Sequence, residues 1–267
     1  MQRTKIPWTD AVWNPITGCS PISPGCEHCY AKRMANRLRG RFGYPKQNPF
    51  AVTFHPDRLE EPLRWRKPRR IFVCSMGDIA HEEIYESGRC EEWYEAIWRV
   101  MARCPQHTFM LLTKRPEGLH HAYGDAFLAG CGADFPLPNV WVGVTAEDQE
   151  QADKRIPIIL SIPAAVHFVS VEPMLSEIQM RDDWLREAWT GPGAFHGARE
   201  DHNRVPRLGW MICGAETGPG ARPMDPLWAE RLYHQCKEAG VPFFFKKASK
   251  GLPVAPECEV HEFPKGG

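Results

Sequence analysis

Six short apolar runs separated by amphipathic stretches restrict this chain to an alternating α/β architecture. They fall at 71–75, 108–113, 140–145, 166–171, 210–213 and 242–246. Each is nearly continuous rather than alternating, the pattern of a strand covered on both faces in a parallel sheet. A seventh strand is predicted at 11–14, just ahead of the first cysteine. Helices are predicted between them at 29–39, 91–101, 148–160 and 226–239, the last followed by Gly240 at the position of a C-cap. Strands and helices at this spacing make βαβ units with right-handed crossovers. The fold class is therefore α/β, a full or partial (β/α) barrel of parallel strands. One domain over residues 1–267 accommodates it, with insertions near 40–70 and 191–208 that are expected to cover the active face.

Lys plus Arg equals Asp plus Glu at 33 each, which argues against holding duplex DNA by bulk electrostatics. A local basic groove is still allowed, and 64–70 is one candidate. Its alternative reading is a solvated linker leading into a strand. The first residues carry no apolar leader and no stretch is long enough to cross a bilayer, so no membrane partner is expected and the chain reads as cytoplasmic. In that compartment ten cysteines point to metal or catalysis rather than to disulfides. Cys74 and Cys213 sit in apolar runs and read as core.

Cys19, Cys26 and Cys29 lie in a Gly/Pro/Ser-rich loop that opens onto a predicted helix. Cubane iron–sulfur clusters normally take four thiolates, so three leave one iron open to a cofactor or substrate. The alternative is zinc, which takes four ligands. His28 supplies a fourth on paper, but between Cys26 and Cys29 it is too close in the chain to share one ion comfortably; a distant residue would have to complete the site.

The three-cysteine loop followed by Tyr30-Ala resembles the cluster loop of radical S-adenosylmethionine enzymes. The wider pattern extends the resemblance over nearly the whole chain: Trp13-Asn-Pro-Ile-Thr-Gly-Cys19, Leu112-Thr-Lys-Arg-Pro-Glu, Phe168-Val-Ser-Val-Glu-Pro, Gly214-Ala-Glu-Thr-Gly-Pro-Gly-Ala-Arg-Pro and Pro242-Phe-Phe-Phe-Lys. Together these are similar to a phage- and prophage-associated family of uncharacterised proteins placed beside the radical SAM enzymes. The gap from Cys19 to Cys26 is longer than the commonest spacing of that superfamily, whereas the gap from Cys26 to Cys29 agrees. The resemblance implies a radical SAM-like barrel with a [4Fe–4S] cluster on the three cysteines and S-adenosylmethionine on the open iron. One-electron reduction would yield a 5′-deoxyadenosyl radical. It further implies an electron donor such as a flavodoxin or ferredoxin, and the phage association suggests a nucleic acid or nucleotide substrate. The competing expectation is a non-catalytic scaffold holding zinc or an inert cluster.

Functional residues of barrels gather at the C-terminal strand ends, which nominates the rest of the site. By the resemblance, Ser75 and Asp78 hold the cofactor's amino group, and Thr145 and Glu147 its ribose. Asp78 and Thr145 can also be read as helix caps. Lys114 can pair with a carboxylate or phosphate, or be an exposed loop charge. Glu172 closes an apolar run and needs a partner, in the site or in a structural ion pair. Glu216 opens a Gly-rich loop whose backbone could approach an anion. Lys246 ends the last strand facing the barrel mouth. Glu172 and Lys246 are the candidate catalytic residues; His28, Ser75, Asp78, Lys114, Thr145, Glu147 and Glu216 are the candidate cofactor-binding ones.

Overall fold

The computed structural model describes residues 4–88, 90–120, 122, 136–186 and 206–265. Most of the expected 191–208 insertion, and Cys131, lie outside them. Seven parallel strands stand side by side in chain order: β1 (Ala11–Trp13), β4 (Arg70–Val73), β5 (Thr108–Thr113), β6 (Val140–Thr145), β7 (Val166–Val171), β8 (Leu208–Gly214) and β9 (Phe243–Lys247). β1 and β9 do not pair, so the sheet curls into a half-barrel and the partial form of the expected barrel holds. Two short antiparallel strands, β2 (Ile16–Thr17) and β3 (Thr53–Phe54), form a separate ribbon.

Alternation along the strands separates two apolar layers. Val140, Val142 and Val144 of β6 pack with Ile97, Ile156 and Leu232 of the helices, so this is the outer face. Trp141, Met110, Phe168, Trp210 and Phe244 form the other layer with Trp8, and it fills the lower part of the concave face. Gly143 makes this possible: a Cβ there would lie 2.7 Å from the Phe168 ring. Above the aromatic floor the inward positions turn polar, and the site is built there.

The helices follow the expected pattern, with caps setting their ends. Asp148 accepts a hydrogen bond from Gln151 N (2.9 Å) and starts helix Gln149–Leu160. Gly240, at φ 67°, closes helix Pro226–Ala239. The first helix, α1, spans Tyr30–Arg37, with Cys29 at its N-cap.

The 40–70 insertion does not hang over the barrel as a free lid. Tyr44 and Phe50 pack with Ala35 of α1 and with Met76, and Cys19 and Cys29 border this small core. The stretch 64–70 is a linker: Arg69 lies over the Trp65 ring (5.4 Å) and Arg70 enters β4 paired to Asp10 (3.2 Å). Among the described residues no helix is long and apolar enough to cross a membrane.

Candidate functional site

A cavity of about 270 Å³ opens at the C-terminal ends of the strands. Cys19, Cys26 and Cys29 line it together with His28. Ser75 and Asp78 after β4, Lys114 after β5 and Thr145 at the end of β6 form further wall, and Glu172 and Glu216, which follow β7 and β8, complete it. Ten of the twelve expected residues thus share one space. Glu147 and Lys246 are not on its surface.

Glu147 is fully buried, which places it behind the wall rather than on a ribose. It accepts from Gly25 N (3.2 Å) and from Arg155 Nη1 (2.8 Å), and Arg155 also donates to the Thr145 carbonyl (2.7 Å). Burial alone would raise this carboxyl, but Lys114 and Arg155 outweigh it and hold it below the usual carboxylate range. Glu147 therefore fastens the cysteine loop, one residue from Cys26, to the end of β6. Thr145 is no helix cap, since Asp148 fills that role.

Glu216 is a second fastening. Arg222 grips it bidentately, Nη2 to Oε1 at 2.6 Å and Nε to Oε2 at 2.9 Å, and His28 Nδ1 lies 3.0 Å from Oε2. Burial raises this carboxyl, and the hydrogen bonds from Arg222 and His28 more than reverse that, bringing it to about 2. Arg222 then reaches the loop itself, at the Pro24 carbonyl (2.9 Å) and Glu27 (3.1 Å). The Gly-rich loop after β8 packs against the cysteine loop and α1. Its Gly218 and Gly220 give close approach to Arg33 and His28, where a Cβ would stand 2.3 and 3.1 Å from their side-chain atoms.

The Cys19 end is held by Arg115, the neighbour of Lys114 in the motif after β5. It is buried, and it donates to Cys19 Sγ (3.3 Å), the Ser20 carbonyl (2.9 Å) and Glu82 (2.5 Å). Asp78 accepts from Thr113 Oγ1 (2.7 Å), Ala80 N (3.0 Å) and Lys114 N (3.2 Å). It organises the β4 and β5 ends, while the following helix takes its cap from His81. Ser75 Oγ donates to Asn14 Oδ1 (3.1 Å), which also accepts from Met76 N (2.9 Å). Burial and nearby Asp78 push the Cys19 thiol up to about 12, against the pull of Arg115.

Glu172 and Lys114 are the remaining charged groups of the wall, and Lys246 stands behind the first of them. Lys246 Nζ pairs with Glu172 across the β7 and β9 ends. Lys114 lines the cavity with no hydrogen bond or ion pair from its amine among the described residues. Among the cysteines whose side chains are described, only Cys19, Cys26 and Cys29 are half-exposed; Cys74, Cys104, Cys213, Cys236 and Cys258 are buried and off the cavity. No three His, Cys, Asp or Glu side chains among the described residues gather as a site for a single metal ion.

Asn14, Arg115, Arg155 and Arg222 were not on the expected site list. Asn14 and Arg222 lie inside the quoted motifs and Arg115 beside Lys114, whereas nothing in the helical run around Arg155 marks it.

No curated protein and no solved structure matches the chain. One family model does, described as a protein of unknown function, DUF5131, and it spans residues 3–255, from the segment before β1 to the segment after β9. The chain belongs to the DUF5131 family.

Proposed function

We propose that this protein is a radical S-adenosylmethionine enzyme whose [4Fe–4S] cluster is held by Cys19, Cys26 and Cys29. One observation carries the reading: three half-exposed thiols line a single cavity at the C-terminal mouth of a parallel half-barrel, and no other cysteine whose side chain is described does. The donor set suits a cluster, whose thiolates stand on different irons. It suits zinc less, since zinc needs its ligands within about 2.0–2.3 Å of one centre. When bound, cluster and cofactor supply one-electron cleavage of the sulfonium and a 5′-deoxyadenosyl radical that takes hydrogen from a substrate.

The chain's own residues hold and orient. Arg115 donates to Cys19 Sγ and pulls toward the thiolate against the burial that raises this thiol. Lys114, which also acts on Glu147 through its charge, offers a cation to the cofactor's carboxylate, and Thr145 offers a hydroxyl to its ribose. Glu172 faces the substrate space and is the acid–base candidate, and Lys246, off the cavity surface, pairs with it from behind. Glu147, Asp78 and Glu216 act through the loop and are positioning residues. An external carrier such as a flavodoxin or ferredoxin would supply the electron.

Anaerobic reconstitution with iron and sulfide tests the reading. A brown protein with about four irons per chain is expected, and reduction in the presence of S-adenosylmethionine should release 5′-deoxyadenosine. Cys26→Ala should lose the colour and the cleavage together. A colourless protein carrying stoichiometric zinc and cleaving nothing would overturn the proposal in favour of a metal-bearing scaffold.

A further inference from the structure

Between Glu27 and Asp57 the chain carries no acidic residue, yet it holds Lys32, Arg33, Arg37, Arg39, Arg41 and Lys46. In a chain with formal net charge zero, one short segment thus concentrates a large local excess of positive charge. The segment comprises α1 and the start of the insertion, and all but Arg33 of these cations are exposed.

None of the six is neutralised by an acid among the described residues. Their hydrogen bonds go to uncharged acceptors: Arg39 to the Lys46 carbonyl (2.7 Å) and Asn36 Oδ1 (3.2 Å), Arg41 to the Arg37 carbonyl (2.5 Å), and Arg33 to the Thr217 carbonyl (3.2 Å). Some other exposed arginines are paired with carboxylates, as Arg231 is with Glu177 and Arg181 with Asp183. A folded protein that leaves one face uncompensated creates a positive field suited to a polyanion.

Two exposed aromatic rings belong to the same segment. Phe42 is 72% exposed, with φ 51°, a left-handed conformation that costs a non-glycine residue about 1 kcal/mol or more. Arg58 donates to its carbonyl and Gly43 follows at φ 80°, so the backbone is held in this form with the ring outward. Tyr30, 56% exposed, opens α1 directly after Cys29 and lines the cavity. Aromatic rings interleaved with unpaired arginines form the combination that binds single-stranded nucleic acid, stacking bases while the cations follow the phosphates.

We propose that α1 and residues 38–46 form a docking face for single-stranded nucleic acid, which Tyr30 conducts to the cavity mouth. A duplex hides the faces of its bases from Phe42 and Tyr30, so the single strand is preferred. The substrate role rests on the proposed function; the binding itself does not.

Fluorescence anisotropy of the full-length protein with a labelled 20-nucleotide single strand of mixed sequence tests it. If about five phosphates are neutralised, raising monovalent salt from about 50 to 200 mM should weaken binding roughly 100-fold. The triple variant Arg37→Glu, Arg39→Glu, Arg41→Glu should bind at least about 100-fold more weakly and show a shallower salt slope, whereas Lys154→Glu on the helix Gln149–Leu160 should bind as the parent does. Phe42→Ala should weaken binding about tenfold or more without changing the slope. Circular dichroism melts confirm that each variant is folded. Unchanged affinity in the triple variant, equal or tighter binding of the matching duplex, or capture by anionic phosphatidylserine vesicles without nucleic-acid binding would each overturn the proposal. Iron content and S-adenosylmethionine cleavage are read separately on the same preparations. Binding without cleavage then counts against the enzymatic reading alone, and cleavage without binding against the docking face alone.

Discussion

Gly18 stands immediately before the first cysteine with φ 93°, and a Cβ there would lie 2.1 Å from the Ala51 carbonyl oxygen. Its neighbour across the isolated bridge is Gly77, where a Cβ would lie 2.7 Å from the Gly18 carbonyl oxygen. Three backbone segments therefore meet at the root of the cysteine loop with no room for a side chain. Gly18→Ala is expected to destabilise the fold by about 3 kcal/mol or more, since left-handed strain adds to a backbone clash. Gly88→Ala, also at positive φ (69°) but in open space, should cost only about 1 kcal/mol. Urea unfolding of both variants checks this, and equal losses would refute the crowding argument. The same residue-level detail separates what the sequence disclosed about the site from what it hid. The three cysteines declare themselves by spacing, and strand-end polarity brings Ser75, Asp78, Lys114, Thr145, Glu172 and Glu216 to the same cavity. The side chains that brace the loop are different. Arg155 meets the nominated Glu147 deep in the structure at 2.8 Å, and no local pattern distinguishes a buried arginine from a solvated one.

At the level of elements, the parallel strands are legible because burial on both faces removes polar residues from the whole run. Their ends are less so: β4 stops at Val73 because Cys74 turns out of the sheet at φ 56°. The ribbon of β2 and β3 left no trace, since two residues per strand are too few to show a period. The insertion was legible as an interruption but not as a brace, because Tyr44 and Phe50 acquire their packing partners only through the return to Met76. Helix boundaries follow cap chemistry more closely. Asp148 precedes Gln149–Leu160 and accepts from Gln151 N, and it also leads directly from Glu147, the residue that fastens the cysteine loop. Asp148→Ala should cost about 1 kcal/mol of stability. Asp148→Asn, which keeps the acceptor, should recover most of it. A thermal melt comparing the two would count against the cap if the asparagine variant were as unstable as the alanine one.

For the molecule as a whole, the buried histidines and the braced carboxylates act in the same direction as pH falls. Burial, with the Arg58 charge adding and Asp57 opposing, lowers His55 from 6.5 to about 4; it is enclosed beside Tyr44, its Nε2 2.8 Å from Thr17 Oγ1. Burial likewise lowers His81, His107 and His167. The unfolded chain takes up these protons near pH 6.5 while the folded chain refuses them until lower pH, so unfolding gains protons and stability must drop across that interval. Glu216 begins a second decline. Its folded carboxyl sits near 2 against 4.5 unfolded, so its contribution is whole above pH 4.5 and drains away toward pH 2. The melting temperature should therefore be highest near neutrality, fall between pH 6.5 and 4, and fall again below 4.5. His55→Gln, which retains a hydrogen-bonding group without a titrating ring, should flatten the first decline by roughly 1–2 kcal/mol after allowance for solvent screening. The second decline should survive that change. It tracks the Glu216–Arg222 clamp on the cysteine loop, so Arg222→Gln should remove part of it and loosen the loop at neutral pH as well. A melting temperature constant from pH 7 to 5 in the parent protein would show that the enclosed imidazoles reach solvent, and with it that the packing around β2, β3 and α1 is looser than the structure describes.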